Sequence, residues 1–147
     1  MTQVDFANKY LGGGTLGSGC VQEEIRFIIC PELILTQLIA EELDSSECLI
    51  VVGAERYSNY AGYASSFKWR GDHIDRTRRD AWGRKCTEVV AMDALRFTVS
   101  AKQYSLKCIQ RELNKAYCAF IAPNRQRRRR ELPAAPRRPL VIIRCPP

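Results

Sequence analysis

Gln3-Val4-Asp5-Phe6-Ala7-Asn8, then Gly12-Gly13-Gly14 with Gly17 and Gly19 close behind, then Gln22-Glu23-Glu24: the architecture turns on what this run becomes. Its first six residues alternate polar and apolar, the pattern of a short strand with one buried face. Five glycines in the next eight-residue stretch cannot form a regular element, because each adds backbone entropy that packing does not recover. From residue 21 the pattern is helical. A strand, a glycine turn and a helix in direct succession open an α/β layer fold.

Outward from this unit, residues 21–29 and 31–43 read as two helices. Leu35, Leu38 and Ile39 fall at helical spacing, and Pro31 suits a first turn. Residues 49–52 are a short apolar run, consistent with a buried strand, and residues 88–92 a second one. Between them, 55–72 mixes aromatics with serine, asparagine and glycine and reads as loop or short edge strands. The charged stretch 72–85 reads as a solvated excursion. Residues 105–121 form a long helix whose apolar positions are Ile109, Leu113, Ala116 and Phe120.

Charge divides the chain. Of the net +7, all is carried by residues 122–147, where eight arginines face the single Glu131; residues 1–121 are neutral. Six of the seven prolines lie in the same tail. Such composition does not make a core, so 122–147 is expected to be a disordered basic tail, with 140–143 as a possible added strand. Nucleic-acid contact or nuclear import is expected only through its Arg127-Arg128-Arg129-Arg130 run. The seven cysteines include no close Cys-x-x-Cys pair, and only His73 could join them, so neither a zinc site nor a disulfide framework is expected. No apolar run approaches the roughly 20 residues that span a bilayer. The thiols point to a reducing, intracellular setting.

The glycine run can carry chemistry in two ways. Between a strand and a helix, glycine N–H groups can approach a phosphate, aided by the helix N-terminus; the same run can simply be a turn. It is neither a Walker loop nor the dinucleotide fingerprint. Glu23 and Glu24 raise a sharper choice. Paired carboxyl groups serve glycoside hydrolysis, yet acidic residues also favour any helix's first turn. Helical neighbours point about 100° apart, so the two cannot flank one bond from opposite faces. At most one of them transfers a proton while the other orients the substrate.

The order Val4-Asp5-Phe6-Ala7-Asn8, Gly12-Gly13-Gly14, Gln22-Glu23-Glu24 resembles the signature of poly(ADP-ribose) glycohydrolases. So do Pro31-Glu32-Leu33-Ile34, Glu55-Arg56-Tyr57-Ser58, Gly62-Tyr63-Ala64 and Glu112-Leu113-Asn114-Lys115-Ala116-Tyr117. The resemblance covers residues 2–121 and implies a partial catalytic domain with a macrodomain-like mixed sheet flanked by helices. It implies hydrolysis of ribose–ribose bonds in poly(ADP-ribose) without metal or cofactor, acting on poly(ADP-ribosyl)ated proteins in nucleus and cytoplasm, as a monomer. Glu24 matches the catalytic acid, whose role at neutral pH requires a raised pKa. Glu23 matches the group that binds the ribose hydroxyls, and Asp5 a supporting active-site acid. Asn8, Gln22 and Gly12-Gly13-Gly14 match substrate contacts, and Tyr63 the tyrosine that closes over the ligand. The family's upstream adenine contacts and its second, diphosphate-wrapping glycine loop have no counterpart here, since no glycine follows Gly83. The alternative expectation is therefore a truncated ADP-ribose-binding chain with little or no turnover.

Overall fold

The computed structural model describes residues 2–129 and 141–145, with side chains through Phe120. The elements run β1 (Thr2–Ala7), α1 (Gln22–Ile29), a 3-10 segment (Pro31–Leu35) leading into the single-turn α2 (Thr36–Ile39), and β2 (Cys48–Val52). There follow a hairpin of β3 (Ser58–Ala61) and β4 (Lys68–Asp72), then β5 (Glu88–Asp93), α3 (Leu106–Arg129) and β6 (Val141–Cys145). The main sheet has the order β1-β5-β2-β6, with β1 parallel to β5 and the other pairs antiparallel. It is an α/β layer fold, as the alternating pattern predicts, with the mixed sheet between helices that the resemblance implies.

The sheet is buried on both faces because β2 and β5 are apolar on both. Leu49, Val51, Val89 and Ala91 face Phe27, Ile29 and Leu33 from α1 and the segment after it. Cys48, Ile50, Val52 and Val90 face the other way, against Ala119 of α3. Strands covered on both sides read as continuous apolar runs, which is why residues 49–52 were legible.

Three expectations are corrected. The helix expected over 31–43 begins as a 3-10 turn and is α-helical only to Ile39, with Leu35, Leu38 and Ile39 exposed and Leu33 and Thr36 buried. Leu43 donates its N–H to the Lys9 carbonyl (2.9 Å), which draws this stretch off the helix axis. In α3, Ile109, Leu113 and Phe120 are exposed while Lys115 and Ala119 are buried. The Lys115 ammonium reaches Asp93 Oδ1 (2.6 Å), the Glu47 carbonyl (2.7 Å) and the Asp44 carbonyl, and Arg111 pairs with Asp93 Oδ2 (2.6 Å). These bonds fix the rotation of the helix and put its polar stripe inward.

The charged excursion 72–85 is not wholly solvated, since Arg84 and Lys85 are buried. Their charges are matched: Arg84 by Asp80 (2.6 Å), and Lys85 by Glu55 (3.1 Å) and the Asp75 carbonyl (2.5 Å). α3 continues to Arg129, and Val141–Cys145 pairs with β2 as an edge strand. The added strand expected at 140–143 is β6. The rest of the expected tail, including the side chains of the arginine run, lies outside the described residues. The six cysteines whose side chains are described are thiols, Cys30 and Cys48 buried and the others half-buried. No described helix is long and apolar enough to cross a membrane.

Candidate active site

The site forms where β1 ends, the glycine turn doubles back, and α1 begins. Glu23 is 4% exposed and Glu24 7%. Glu23 Oε1 accepts the Gly12 N–H (2.6 Å) and its Oε2 the Asn8 N–H (2.9 Å). Glu24 Oε1 accepts the Gly14 N–H (3.0 Å), and its Oε2 turns back to the Val21 N–H (2.9 Å) at the helix start. Both carboxylates converge on Gly13: a Cβ there would lie 2.6 Å from Glu24 Oε1 and 2.9 Å from Glu23 Oε2. Gly19 closes the far side, its Cβ position 2.7 Å from Glu24 Oε1. Glycine is required at 13 for a second reason, a backbone φ of +47°.

This geometry answers the two questions the sequence left open. The glycine turn does not present its N–H groups to a phosphate. Gly12 and Gly14 donate to the glutamates, and Gly13, Thr15, Gly17 and Gly19 to carbonyls within the turn. The carboxylates are the anions it cradles. Glu23 and Glu24 lie on one side of one turn and not across a gap, in keeping with neighbours on a helix.

The electrostatics depart from expectation. Burial tends to raise the Glu24 pKa, but the N–H groups of Gly14, of Val21 and of Glu24 itself outweigh it and hold the carboxyl below its ordinary value. Gly13, Gly14 and Gly19 lie against it. In the free chain Glu24 is therefore a carboxylate, contrary to the raised pKa that an acid role requires. Glu23 is pushed up, chiefly by burial, against the opposing pull of the Asn8 and Gly12 N–H groups. Asp5 is pushed furthest, to about 7, by burial first and then by the Glu23 charge, with Glu24 adding and Arg26 opposing. It is 0% exposed, and neither carboxyl oxygen has a hydrogen-bond partner. Of the three carboxyls it is Asp5, not Glu24, whose pKa is raised to about 7.

Of the other expected contacts, Asn8 is exposed and its Oδ1 accepts the Tyr10 N–H (3.0 Å), so its side chain closes a turn. Gln22 is engaged by β1: its Oε1 accepts from Phe6 N and its Nε2 donates to the Val4 carbonyl, both 2.9 Å. It completes the strand's open edge. Tyr63 is 54% exposed and its hydroxyl accepts the Gln22 N–H (3.2 Å), which places its ring over the start of α1. The turn presenting it is tight. Gly62 has φ +80°, and Ala64, at φ +50°, is the only described non-glycine residue in that region. Such strain persists only where the surroundings impose it. Asp5, Asn8, Gly12, Gly13, Gly14, Gln22, Glu23, Glu24 and Tyr63 thus gather at one place. Sequence reading missed the Asp93–Lys115–Arg111 clamp beside it, where Asp93 ends β5 opposite Ala7 of β1. The signal available was a lysine inside an otherwise amphipathic helix. Among the described residues no group of three or more His, Cys, Asp or Glu side chains could hold a metal.

A mixed sheet between helices, carrying a carboxylate pair on a glycine turn, defines a layered α/β protein with its acids gathered beside the ends of β1 and β5. Residues 1–135 match the family described as poly (ADP-ribose) glycohydrolase (PARG), Macro domain fold, and the chain belongs to that family. It is 52% identical over 119 residues to poly(ADP-ribose) glycohydrolase 1 of Arabidopsis thaliana, covering 81% of this chain and 22% of the relative. It is 43% identical over 121 residues to poly(ADP-ribose) glycohydrolase 1 of Caenorhabditis elegans, covering 78% of this chain and 15% of the relative. The chain thus spans about a fifth of the length of these curated relatives.

Proposed function

We propose that this chain supplies the catalytic acid site of a glycoside hydrolase acting on the ribose–ribose bonds of poly(ADP-ribose). In this reading Glu24 gives its proton to the departing ribose oxygen as the glycosidic C–O bond breaks. Water then adds to the anomeric carbon and returns a proton to Glu24. Glu23, anchored by two backbone N–H groups, orients the ribose and holds the turn. The observation that carries the reading is the convergence of both carboxylates on Gly13 in a chain of this family.

Glu24 starts as a carboxylate, so substrate has to raise its pKa. Excluding water from the glycine turn does so, and so does drawing the Gly14 N–H away from Oε1. The nearby diphosphate charge acts in the same direction. Incubation with labelled polymer, beside Glu24→Gln, tests the assignment. Release of ADP-ribose by the parent and its loss in the variant is the expected result, and equal release from both removes Glu24 from the mechanism.

The lowered Glu24 pKa specifically favours a second reading, ADP-ribose binding without turnover. Calorimetric binding of ADP-ribose by a chain that releases nothing from polymer would establish it. Action on poly(ADP-ribosyl)ated proteins in nucleus and cytoplasm belongs to the first reading and is checked by locating a tagged chain.

A further inference from the structure

Gln37 reaches the glycine turn from α2, and neither the core nor the acid site accounts for it. The residue before it sets its direction. Thr36 is 1% exposed and its hydroxyl donates back to the Leu33 carbonyl (2.7 Å), which fixes the single turn of α2 with Leu38 and Ile39 in solvent. The Gln37 amide is carried inward, and its Nε2 donates to the Leu11 carbonyl (3.1 Å). Its Oε1 is enclosed with no hydrogen-bond partner. A buried acceptor left unpaired is a cost, so the amide is placed for its donor alone. Reversed, it would set Oε1 against the Leu11 oxygen, two acceptors facing each other.

What this donor holds is a peptide unit with two ends. The Leu11 C=O and the Gly12 N–H belong to one planar trans amide and point in opposite directions. On the far side the Gly12 N–H donates to Glu23 Oε1 at 2.6 Å, shorter than the bonds from Asn8, Gly14 and Val21 to the two glutamates. Leu11 and Gly12 are both buried. Accepting from Gln37 polarises the amide and makes its N–H a better donor. The contact is also steric. A Cβ at 12 would overlap Gln37 Nε2, and the backbone there has φ +83°. A peptide unit beside a bare glycine turns over readily. Turned over, this one would press its carbonyl on the Glu23 carboxylate, and Gln37 opposes that by holding the oxygen.

We propose that Gln37 is a positioning residue for Glu23, acting through the Leu11–Gly12 peptide unit. It keeps the Gly12 N–H on Oε1 and so fixes the carboxylate that orients the ribose. The functional half of this rests on the proposed role of Glu23, and the geometric half does not.

Gln37→Met keeps the length and helix preference of the side chain and removes the donor. Amide exchange at Gly12 should quicken about tenfold, the protection lost with one hydrogen bond. Gly14, bonded to Glu24, should be unchanged. The carboxyl-carbon titration of Glu23 should move to higher pH, because burial then acts against a weaker donor, with its charged neighbours Glu24 and Asp5 unaltered. Equal acceleration at Gly12, Gly14 and the strands, or a Glu23 titration that stays in place, overturns the proposal and leaves Gln37 a tether of α2. Should the variant not fold, the parent chain decides: one proton of the Gln37 side-chain amide should be protected from exchange and lie downfield of the other. Two equivalent, rapidly exchanging protons overturn the proposal. Calorimetry with ADP-ribose separates it from the role of Glu23. Moved Gly12 and Glu23 signals with affinity about tenfold lower in Gln37→Met support both. Moved signals with unchanged affinity leave Gln37 holding Glu23 and remove Glu23 from ribose binding, whereas unmoved signals beside intact ADP-ribose binding do the reverse.

Discussion

Asp5→Asn isolates the most unusual group in the molecule. Asp5 is enclosed in β1 with both oxygens unpartnered, and its pKa stands at about 7 against 3.8 when free. Between those two values the folded chain keeps a proton that the unfolded chain has lost. Unfolding therefore releases a proton in this window, so stability falls as pH rises from about 4 to about 7 and is level above it. Below pH 4 both states are protonated and Asp5 contributes no slope. A gap of roughly three pKa units at about 1.4 kcal/mol each amounts to about 4 kcal/mol. Asparagine keeps the shape and removes the titration. Urea unfolding of both proteins at pH 4 and pH 8 reads the difference directly. The variant's stability relative to the parent should shift in its favour by about 4 kcal/mol between the two pH values, with m unchanged. Only this double difference matters, because the asparagine N–H groups have their own cost at both pH values. Glu23, also raised, has a slope of the same sign, and because its charge helps to raise Asp5 the double difference reads Asp5 together with that coupling. A gap that stays constant with pH would refute the assignment of a buried, protonated Asp5.

Gly13→Ala should lose about 1–2 kcal/mol from its left-handed backbone alone and more from the clash with Glu24 Oε1, read as a lower urea midpoint. Gln22→Leu removes both hydrogen bonds to β1 and should lower stability by about 1–3 kcal/mol, which unfolding without ligand detects; a variant of parental stability would return Gln22 to the role of substrate contact alone. Lys115→Met strips the buried Asp93 carboxylate and the carbonyls of Asp44 and Glu47 of their shared donor. It should lower stability on the order of 3 kcal/mol, with faster amide exchange around residues 44–47.

The layered fold was legible wherever a residue's neighbours in sequence are also its neighbours in space. The alternation at 3–8, the apolar run at 49–52 and the glycine turn before α1 each carry a local pattern that packing then uses. What stayed hidden depends on distant groups. The rotation of α3 follows from Lys115 meeting Asp93 and two carbonyls far away in sequence, so an apolar stripe at Ile109, Leu113 and Phe120 that promised burial is exposed. That these residues gather at one place was readable from order and residue type, but their protonation was not. Glu24 is lowered by N–H groups at 14 and 21, and Asp5 is raised by burial and by the Glu23 charge. Gln22 shows the same limit: its amide pairs with a strand edge that a sequence pattern does not reveal as open.

Carboxyl-carbon NMR titration of Glu24, with and without ADP-ribose, reaches the core of this account. Without ligand the resonance should titrate below the ordinary glutamate range, and with saturating ADP-ribose its midpoint should climb well above that range as water leaves the glycine turn. A midpoint that ligand leaves in place, or one that starts high in the free chain, would contradict it.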